Sequence, residues 1–189
     1  LIFLPFDAAD IDAIGVCTDS RKLRPGELFF SLDGSRANMY DAARKGAIAV
    51  VTDSAPDERF PVPTAIVKDA REAFICGNPQ KKLRLCAVTG TNGKTTVSAM
   101  LSEILREGGY NTFLIGTEGA GSGNDPEKTG YTTPPPDILA PLLKKAVDEK
   151  ADFVIMEASS HSLDQKRLSG LHFELGIFTN LSRDHLDYH

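Results

Sequence analysis

Past residue 82 the chain alternates two kinds of hydrophobic pattern. Leu83–Thr89, Thr112–Ile115, Phe153–Met156 and Leu175–Thr179 are short apolar runs. Their lack of in-and-out alternation predicts strands, the first and the last two buried on both faces. Between them, apolar side chains recur every three or four positions. Val97, Met100, Leu101, Ile104 and Leu105 predict a helix over 95–107, stopped by Gly108-Gly109. Leu139, Leu142, Leu143, Ala146 and Val147 predict a second, opening at Pro135-Pro136-Asp137. Gly116 to Gly130, with five glycines, reads as a mobile polar loop. Strands alternating with helices imply a mainly parallel sheet with crossover helices, and ligands at the carboxyl ends of its strands.

The first 80 residues are patterned differently. Arg24-Pro25-Gly26-Glu27 is a turn, and Leu28–Leu32 a strand ending at Asp33-Gly34. Asp41 to Lys45 reads as a short helix halted by Gly46; Ala47–Thr52 and Thr64–Val67 read as strands, and Pro56 to Pro63 as a surface loop. Turn residues at Gly77-Asn78-Pro79 divide the chain into two α/β domains, 1–80 and 81–189.

Composition narrows the function. Of 189 residues 41% are hydrophobic and 25% charged, ordinary values for a soluble globular protein. The net charge of −5 and the lack of a basic run exclude nucleic acid as an expected partner. No apolar run is long enough to span a bilayer, and Leu1 to Phe6, broken by Pro5, lacks the parts of a signal peptide. The first residue is not Met, so the chain is expected to begin inside a longer sequence. Three cysteines without Cys-x-x-Cys spacing fit a reducing cytoplasm and argue against a zinc site. A monomer is expected.

The chemistry concentrates where strands end. Residues 87–96 read Ala-Val-Thr-Gly-Thr-Asn-Gly-Lys-Thr-Thr: a strand, a glycine-rich turn, Lys94-Thr95, then a helix. Backbone N–H groups of such a turn and the helix N-terminus point at anionic oxygens. Lys94 supplies a charge for terminal phosphates, and the Thr95 hydroxyl is placed to ligate Mg²⁺. The loop is shorter than the general nucleotide pattern, which has glycine where Val88 stands. Glu157, closing the strand Phe153–Met156, is the candidate second Mg²⁺ anchor, with a helix-capping or surface acid as the alternative. His161 and His185 read either as structural histidines or as site residues, and Asp184 and Asp187 as site acids or turn caps.

Four segments together carry a resemblance: Thr89 to Thr96; Tyr131-Thr132-Thr133-Pro134; Glu157-Ala-Ser-Ser-His-Ser-Leu-Asp-Gln-Lys-Arg167; and Phe178-Thr-Asn-Leu-Ser-Arg-Asp-His-Leu-Asp-Tyr-His189. In this order they resemble the Mur ligase family, closest in its MurE branch, the UDP-N-acetylmuramoyl-tripeptide synthetases of peptidoglycan assembly. Thr18-Asp19-Ser20-Arg21 and Pro25-Gly26-Glu27-Leu28-Phe29 are similar to that branch's uridine-binding domain. The resemblance implies a small uridine-binding α/β domain followed by a P-loop ATPase domain. The implied reaction starts when ATP phosphorylates a carboxylate of UDP-N-acetylmuramoyl-dipeptide. An amino acid, meso-diaminopimelate or L-lysine, then attacks the acyl phosphate to form an amide.

By the same resemblance Gly90, Thr91, Asn92, Gly93, Lys94, Thr95 and Thr96 bind ATP, with Asn180 ordering the nucleotide and metal region. Thr95 and Glu157 hold Mg²⁺, and His185 sits near a second. Lys94, Glu157 and His185 form the catalytic set. Thr132, Thr133, Ser159, Gln165 and Arg167 hold the muramoyl-dipeptide, and Thr18, Ser20, Ser35 and Arg36 lie at the uridine end.

Departures from the pattern are equally specific. The chain stops at His189, before the family's carbamylated lysine and its amine-receiving carboxyl-terminal domain. Ser35 to Tyr40 stand where the family has Asp-Gly-His, and the linker between Arg71 and Gly77 is abbreviated. The expectation is therefore an amino-terminal portion that binds Mg-nucleotide but does not complete ligation alone. A related folylpolyglutamate-type or tetrapeptide-adding ligase, a non-catalytic UDP-sugar module, and a plain nucleotide hydrolase are the competing readings.

Overall fold

Short runs of Phe, Val and Ala build the first of two sheets. In the computed structural model, which describes residues 13–57, 59–76, 83–123, 126–183 and Tyr188, the chain divides into two units, Leu1–Phe74 and Ile75–His189. The first holds β1 (Val16–Cys17), β2 (Leu28–Ser31), β3 (Ala49–Thr52) and β4 (Thr64–Ile66), all parallel and in that order. Helix α1 (Arg36–Arg44) packs on it through Met39 and Ala42 against Leu23, Phe29, Ala47 and Val50. It begins five residues before the predicted Asp41, because the Ser35 hydroxyl caps it by accepting from the Asn38 N–H at 3.4 Å. Its first turn carries almost no apolar signal, so periodicity alone misses it. Strand β1 is too short to produce a pattern. Helix α2 (Ala70–Cys76) is preceded by Asp69, whose carboxylate accepts from the N–H groups of Arg71 and Glu72. The division between units falls inside α2, ahead of 77–80, which lie outside the described residues.

The second unit contains β5 (Arg84–Thr89), α3 (Lys94–Glu107), β6 (Thr112–Gly116), β7 (Gly119–Gly121), α4 (Pro136–Asp148), β8 (Phe153–Glu157), α5 (Ser160–Asp164) and β9 (Phe173–Phe178). Its five-stranded sheet runs β7-β6-β8-β5-β9, parallel except for β7, which is antiparallel to β6. One face packs on α4 through Leu139, Leu142, Leu143 and Ala146, joined by Phe113, Val154 and Met156. The other face, through Cys86, Val88, Phe153 and Ile155, receives Val97, Leu101 and Leu105 of α3. The mainly parallel α/β fold expected from the alternation is the one observed.

Three expectations are corrected. Met100 and Ile104 of α3 are 60% and 68% exposed, whereas Ser98 and Ser102 are buried. The face toward the sheet is centred on 98, 101, 102 and 105, so positions 100 and 104 turn outward. Small serines let α3 approach closely, and the Ser102 and Thr112 hydroxyls meet at 2.7 Å. Strand β9 is not buried on both faces: Leu175 and Phe178 are 43% and 63% exposed, because among the described residues β9 pairs only with β5. The glycine-rich segment after β6 is partly strand, with β7 paired to β6 and Ala120 bridging Glu127.

This layering predicts a stability contrast. Leu143→Ala, at a fully buried position, lowers stability to urea by about 2–5 kcal/mol. Ile104→Ala, on the outward face of α3, changes it by about 0.5 kcal/mol or less. Equal losses in the two variants would contradict the packing described.

Candidate functional site: a pinned glycine–lysine loop and a buried carboxylate

Strand β5 ends at Thr89, and the chain turns through Gly90 at φ +127° into α3. A Cβ at Gly90 would lie 2.2 Å from Thr179 Oγ1 and 2.8 Å from the Asn180 carbonyl oxygen, so only glycine fits there. Gly93, at φ +84°, is the N-cap of α3 and offers no side chain to its first turn. The N–H groups opening the helix thus lack a side-chain acceptor, the condition in which a helix N-terminus attracts an anion. Lys94 folds over the loop, its Nζ donating to the carbonyls of Gly90 at 2.7 Å and Thr91 at 2.9 Å. Thr96 is exposed on the same turn.

The loop is held from the end of β9. Asn180 grips Asn92 with both ends of its amide: Oδ1 accepts from the Asn92 N–H at 3.0 Å, and Nδ2 donates to the Asn92 carbonyl at 3.0 Å. Thr179 Oγ1 donates to that carbonyl at 2.7 Å. The Thr91 hydroxyl accepts from the Ser182 N–H at 2.9 Å and donates to the Ser182 carbonyl at 3.1 Å. In this arrangement Asn180 orders the loop through Asn92. Thr179 and Ser182 share that work, and sequence reading passed over both; their signal was their place in a polar run directly after an apolar strand.

Beside the loop lies Glu157, closing β8 and 3% exposed. Its Oε2 accepts from Thr95 Oγ1 at 3.1 Å and from Thr117 Oγ1 at 3.0 Å, while Oε1 accepts from the Thr117 N–H at 3.1 Å. It is therefore neither a surface acid nor a helix cap. Gly116 makes room for it: a Cβ there would meet Glu157 Oε1 at 2.2 Å. Thr132 reaches the same network, its hydroxyl 3.0 Å from that of Thr117. Thr117 falls in the segment read as a mobile loop, and nothing in the local pattern marked it.

Thr133 faces inward. Its hydroxyl donates to the Glu157 carbonyl at 2.7 Å and accepts from the Ser159 N–H at 3.0 Å. The Ser159 hydroxyl caps α5. Arg167 donates to the Thr133 carbonyl at 2.7 Å and to Gln165 Oε1 at 2.6 and 2.8 Å. His161 lies against Tyr188, the ring centroids 4.1 Å apart and the planes tilted by 43°. His185, with Asp184 and Asp187, lies outside the described residues. A cleft of about 250 Å³ opens between these strand ends, lined by Gly90, Lys94, Ser159, Leu163, Phe178 and Ser182 among others. The structure thus brings Gly90 to Thr96, Glu157, Ser159, Thr132, Thr133 and Asn180 to the carboxyl ends of the parallel strands.

In the first unit Ser20 is buried and bonds the Asp41 carboxylate, while its carbonyl accepts from Lys45 Nζ at 2.8 Å. Lys45 Nζ also lies 3.0 Å from the Asp41 carboxylate, and its bond there, with that of Ser20, holds the Asp41 carboxyl below its usual range. Thr18 is half-buried nearby in the chain. Arg21 forks onto Asp19 with two bonds of 2.8 Å, and this hydrogen bonding lowers the Asp19 pKa to about 2. Ser35 caps α1, and Arg36 pairs with Asp57 at 2.7 Å.

A parallel sheet whose strand β5 opens through a glycine–lysine–threonine turn onto a helix is a P-loop α/β domain. Residues 88–189 match the family described as Mur ligase middle domain, and the chain belongs to that family. It is 43% identical over 191 residues to the UDP-N-acetylmuramoyl-L-alanyl-D-glutamate–2,6-diaminopimelate ligase of Bacteroides fragilis, covering 95% of this chain and 39% of the relative. The ligase of the same name from Mesorhizobium japonicum is 42% identical, with 96% and 40% covered. A solved structure of a ligase of that name superposes with a TM-score of 0.75 at 32% identity, over 94% of this chain and 38% of that one. The MurF ligase from Thermotoga maritima, solved in complex with ADP, shares the fold at a TM-score of 0.51 and 17% identity, with 95% and 40% covered. The chain spans about 39% of the length of the curated relatives it matches.

Two outcomes follow from this geometry. Gly90→Ala, which drives a Cβ against Thr179 and Asn180 at positive φ, lowers stability to urea by about 1–3 kcal/mol; unchanged stability would mean that the loop yields without cost. For Asp19 the sign is that of a depressed carboxylate. Its pairing with Arg21 favours the fold above the ordinary value of 3.8 and is lost as pH falls through about 2. In a carboxyl-carbon NMR titration Asp19 has its midpoint near 2, and Arg21→Ala moves it back toward 3.8.

Proposed function

We propose that the protein to which this chain belongs is an ATP-dependent ligase of peptidoglycan assembly. It would join the third amino acid to UDP-N-acetylmuramoyl-L-alanyl-D-glutamate, in the cytoplasm and as a monomer. The relatives' names favour 2,6-diaminopimelate over L-lysine as that amino acid. Among the described residues no helix is long and apolar enough to cross a membrane. Within this scheme residues 1–80 bind the uridine end through Thr18, Ser20, Ser35 and Arg36, and 81–189 bind ATP. The observation that carries the reading is the loop itself: a lysine and an uncapped helix N-terminus held rigidly beside a buried carboxylate.

The reaction has two steps. A carboxylate oxygen of the substrate attacks the γ-phosphorus of ATP, and the bond to ADP breaks, leaving an acyl phosphate. The amine of the incoming amino acid then attacks the acyl carbon, loses a proton, and expels phosphate. Both steps bring anions together. Lys94 and the N–H groups at the start of α3 offset that repulsion and orient the γ-phosphoryl group. Glu157 Oε2 and Thr95 Oγ1, 3.1 Å apart, are hard oxygen donors of the kind Mg²⁺ takes, with water completing its shell. They would hold the cation, with His185 serving a second. Mg²⁺, when bound, neutralises charge on the phosphates. Thr132, Ser159, Gln165 and Arg167 would orient the muramoyl-dipeptide toward the cleft, with Thr133 fixing their backbone from within.

Calorimetric titration with Mg²⁺ and a non-hydrolysable ATP analogue tests the nucleotide half. The chain binds, and Lys94→Ala weakens binding about 10- to 100-fold, the range for a lost charge-assisted hydrogen bond. Equal binding by both forms would remove Lys94 from the phosphate site. Saturable binding of UDP-N-acetylmuramoyl-dipeptide separates the ligase from a plain nucleotide hydrolase.

A further inference from the structure

Thr117 is exposed, yet it supplies two of the three hydrogen bonds that hold the buried Glu157 carboxylate. Its N–H takes Oε1 and its hydroxyl takes Oε2, so the two bonds fix both the rotation and the tilt of the carboxylate plane. A hydroxyl has one proton to give, and a carboxylate can only accept. The Thr117 proton therefore goes to Glu157, and the 3.0 Å contact between the Thr117 and Thr132 hydroxyls must run from Thr132 to Thr117. A directed chain results: Thr132 donates to Thr117, which donates to Glu157. Half-buried Thr132 stands at its outer end, and the next residue, Thr133, is anchored on the Glu157 carbonyl. The side chain and backbone of Glu157 are thus both tied to the 132–133 segment.

We infer that Thr117 is a positioning residue that sets the Glu157 carboxylate for its cation and couples it to Thr132. This rests on the nucleotide-binding reading above. A ligand group that takes the Thr132 proton breaks the outer link and leaves the inner one. Occupancy of the 132 side is therefore felt at the carboxylate through a single hydroxyl. The Thr95 hydroxyl gives its one proton to Glu157 and the Lys94 ammonium bonds the Gly90 and Thr91 carbonyls, so the link from the carboxylate to Thr132 runs through Thr117.

The test uses Mn²⁺ with ADP as probe, read by electron paramagnetic resonance of the bound Mn²⁺ on this chain, without turnover. Thr117→Val keeps the backbone bond to Oε1 and removes the hydroxyl. It weakens Mn²⁺·ADP binding about tenfold and broadens the bound spectrum, whereas Thr117→Ser stays within about twofold of the parent. Thr132→Val has a smaller effect, and the Thr117→Val/Thr132→Val double variant binds no more weakly than Thr117→Val alone. Circular dichroism verifies that the variants keep the fold, Thr117→Val with a lowered thermal midpoint because one donor is taken from a buried carboxylate. Parental affinity in Thr117→Val would overturn the positioning role, and additive losses in the double variant would overturn the link to Thr132. Failure of the parent chain to bind Mn²⁺·ADP would overturn the nucleotide reading and this inference with it.

Discussion

The grip of Asn180 on Asn92 is the contact on which the site depends. A glycine-rich turn has no shape of its own; its freedom, which admits the conformations a phosphate needs, also admits many others. Here the choice is made by a strand end almost ninety residues away, which closes two hydrogen bonds on one residue of the loop and a third from Thr179. Because β5 and β9 are paired directly, register in the sheet becomes shape in the loop. Burial of Leu85, Cys86 and Val88 in β5 thereby reaches the position of the Lys94 ammonium.

The same logic governs the second charge of the site. Glu157 is buried, and a carboxylate there is costly unless its oxygens are met by donors. Two threonines meet them. The donors come from the start of α3, just past β5, and from the segment after β6, so the carboxylate ties together the ends of the two strands that pair with β8. Leading with the ends of parallel strands is how this class of sheet assembles polar groups that are distant in sequence.

Much of this was legible in the chain itself. The strands around the loop, the loop and Glu157 announce themselves through short apolar runs followed by polar residues, and α4 through its periodic apolar face. What was not legible is instructive. Nothing local distinguishes Met100, which points outward, from Leu101, which packs inward; the register of α3 on the sheet decides. The serines that allow α3 to sit close look like ordinary surface residues. Apolar content in β9 was read as burial, yet burial depends on neighbours that a strand's own residues do not specify. Thr117 sat among glycines that suggested looseness, while β7 and the bridge at Glu127 give that stretch definite structure. In the first unit, Ser20 and Ser35 also support an ion pair and a helix start, contacts that their motif does not specify.

One feature reaches beyond energetics into inheritance. Gly116 carries no positive φ; it is bare because the carboxylate of Glu157 occupies the volume of its missing methyl group. The two positions are complementary in size, one side chain long because the other is nil. Among descendants of this chain, a shorter acid at 157 would free 116 to grow, and a larger residue at 116 would be tolerated only after such a shortening. The order in which the two changes arise is thus constrained, and a lineage that altered 116 first would pass through a form whose carboxylate has been pushed out of place.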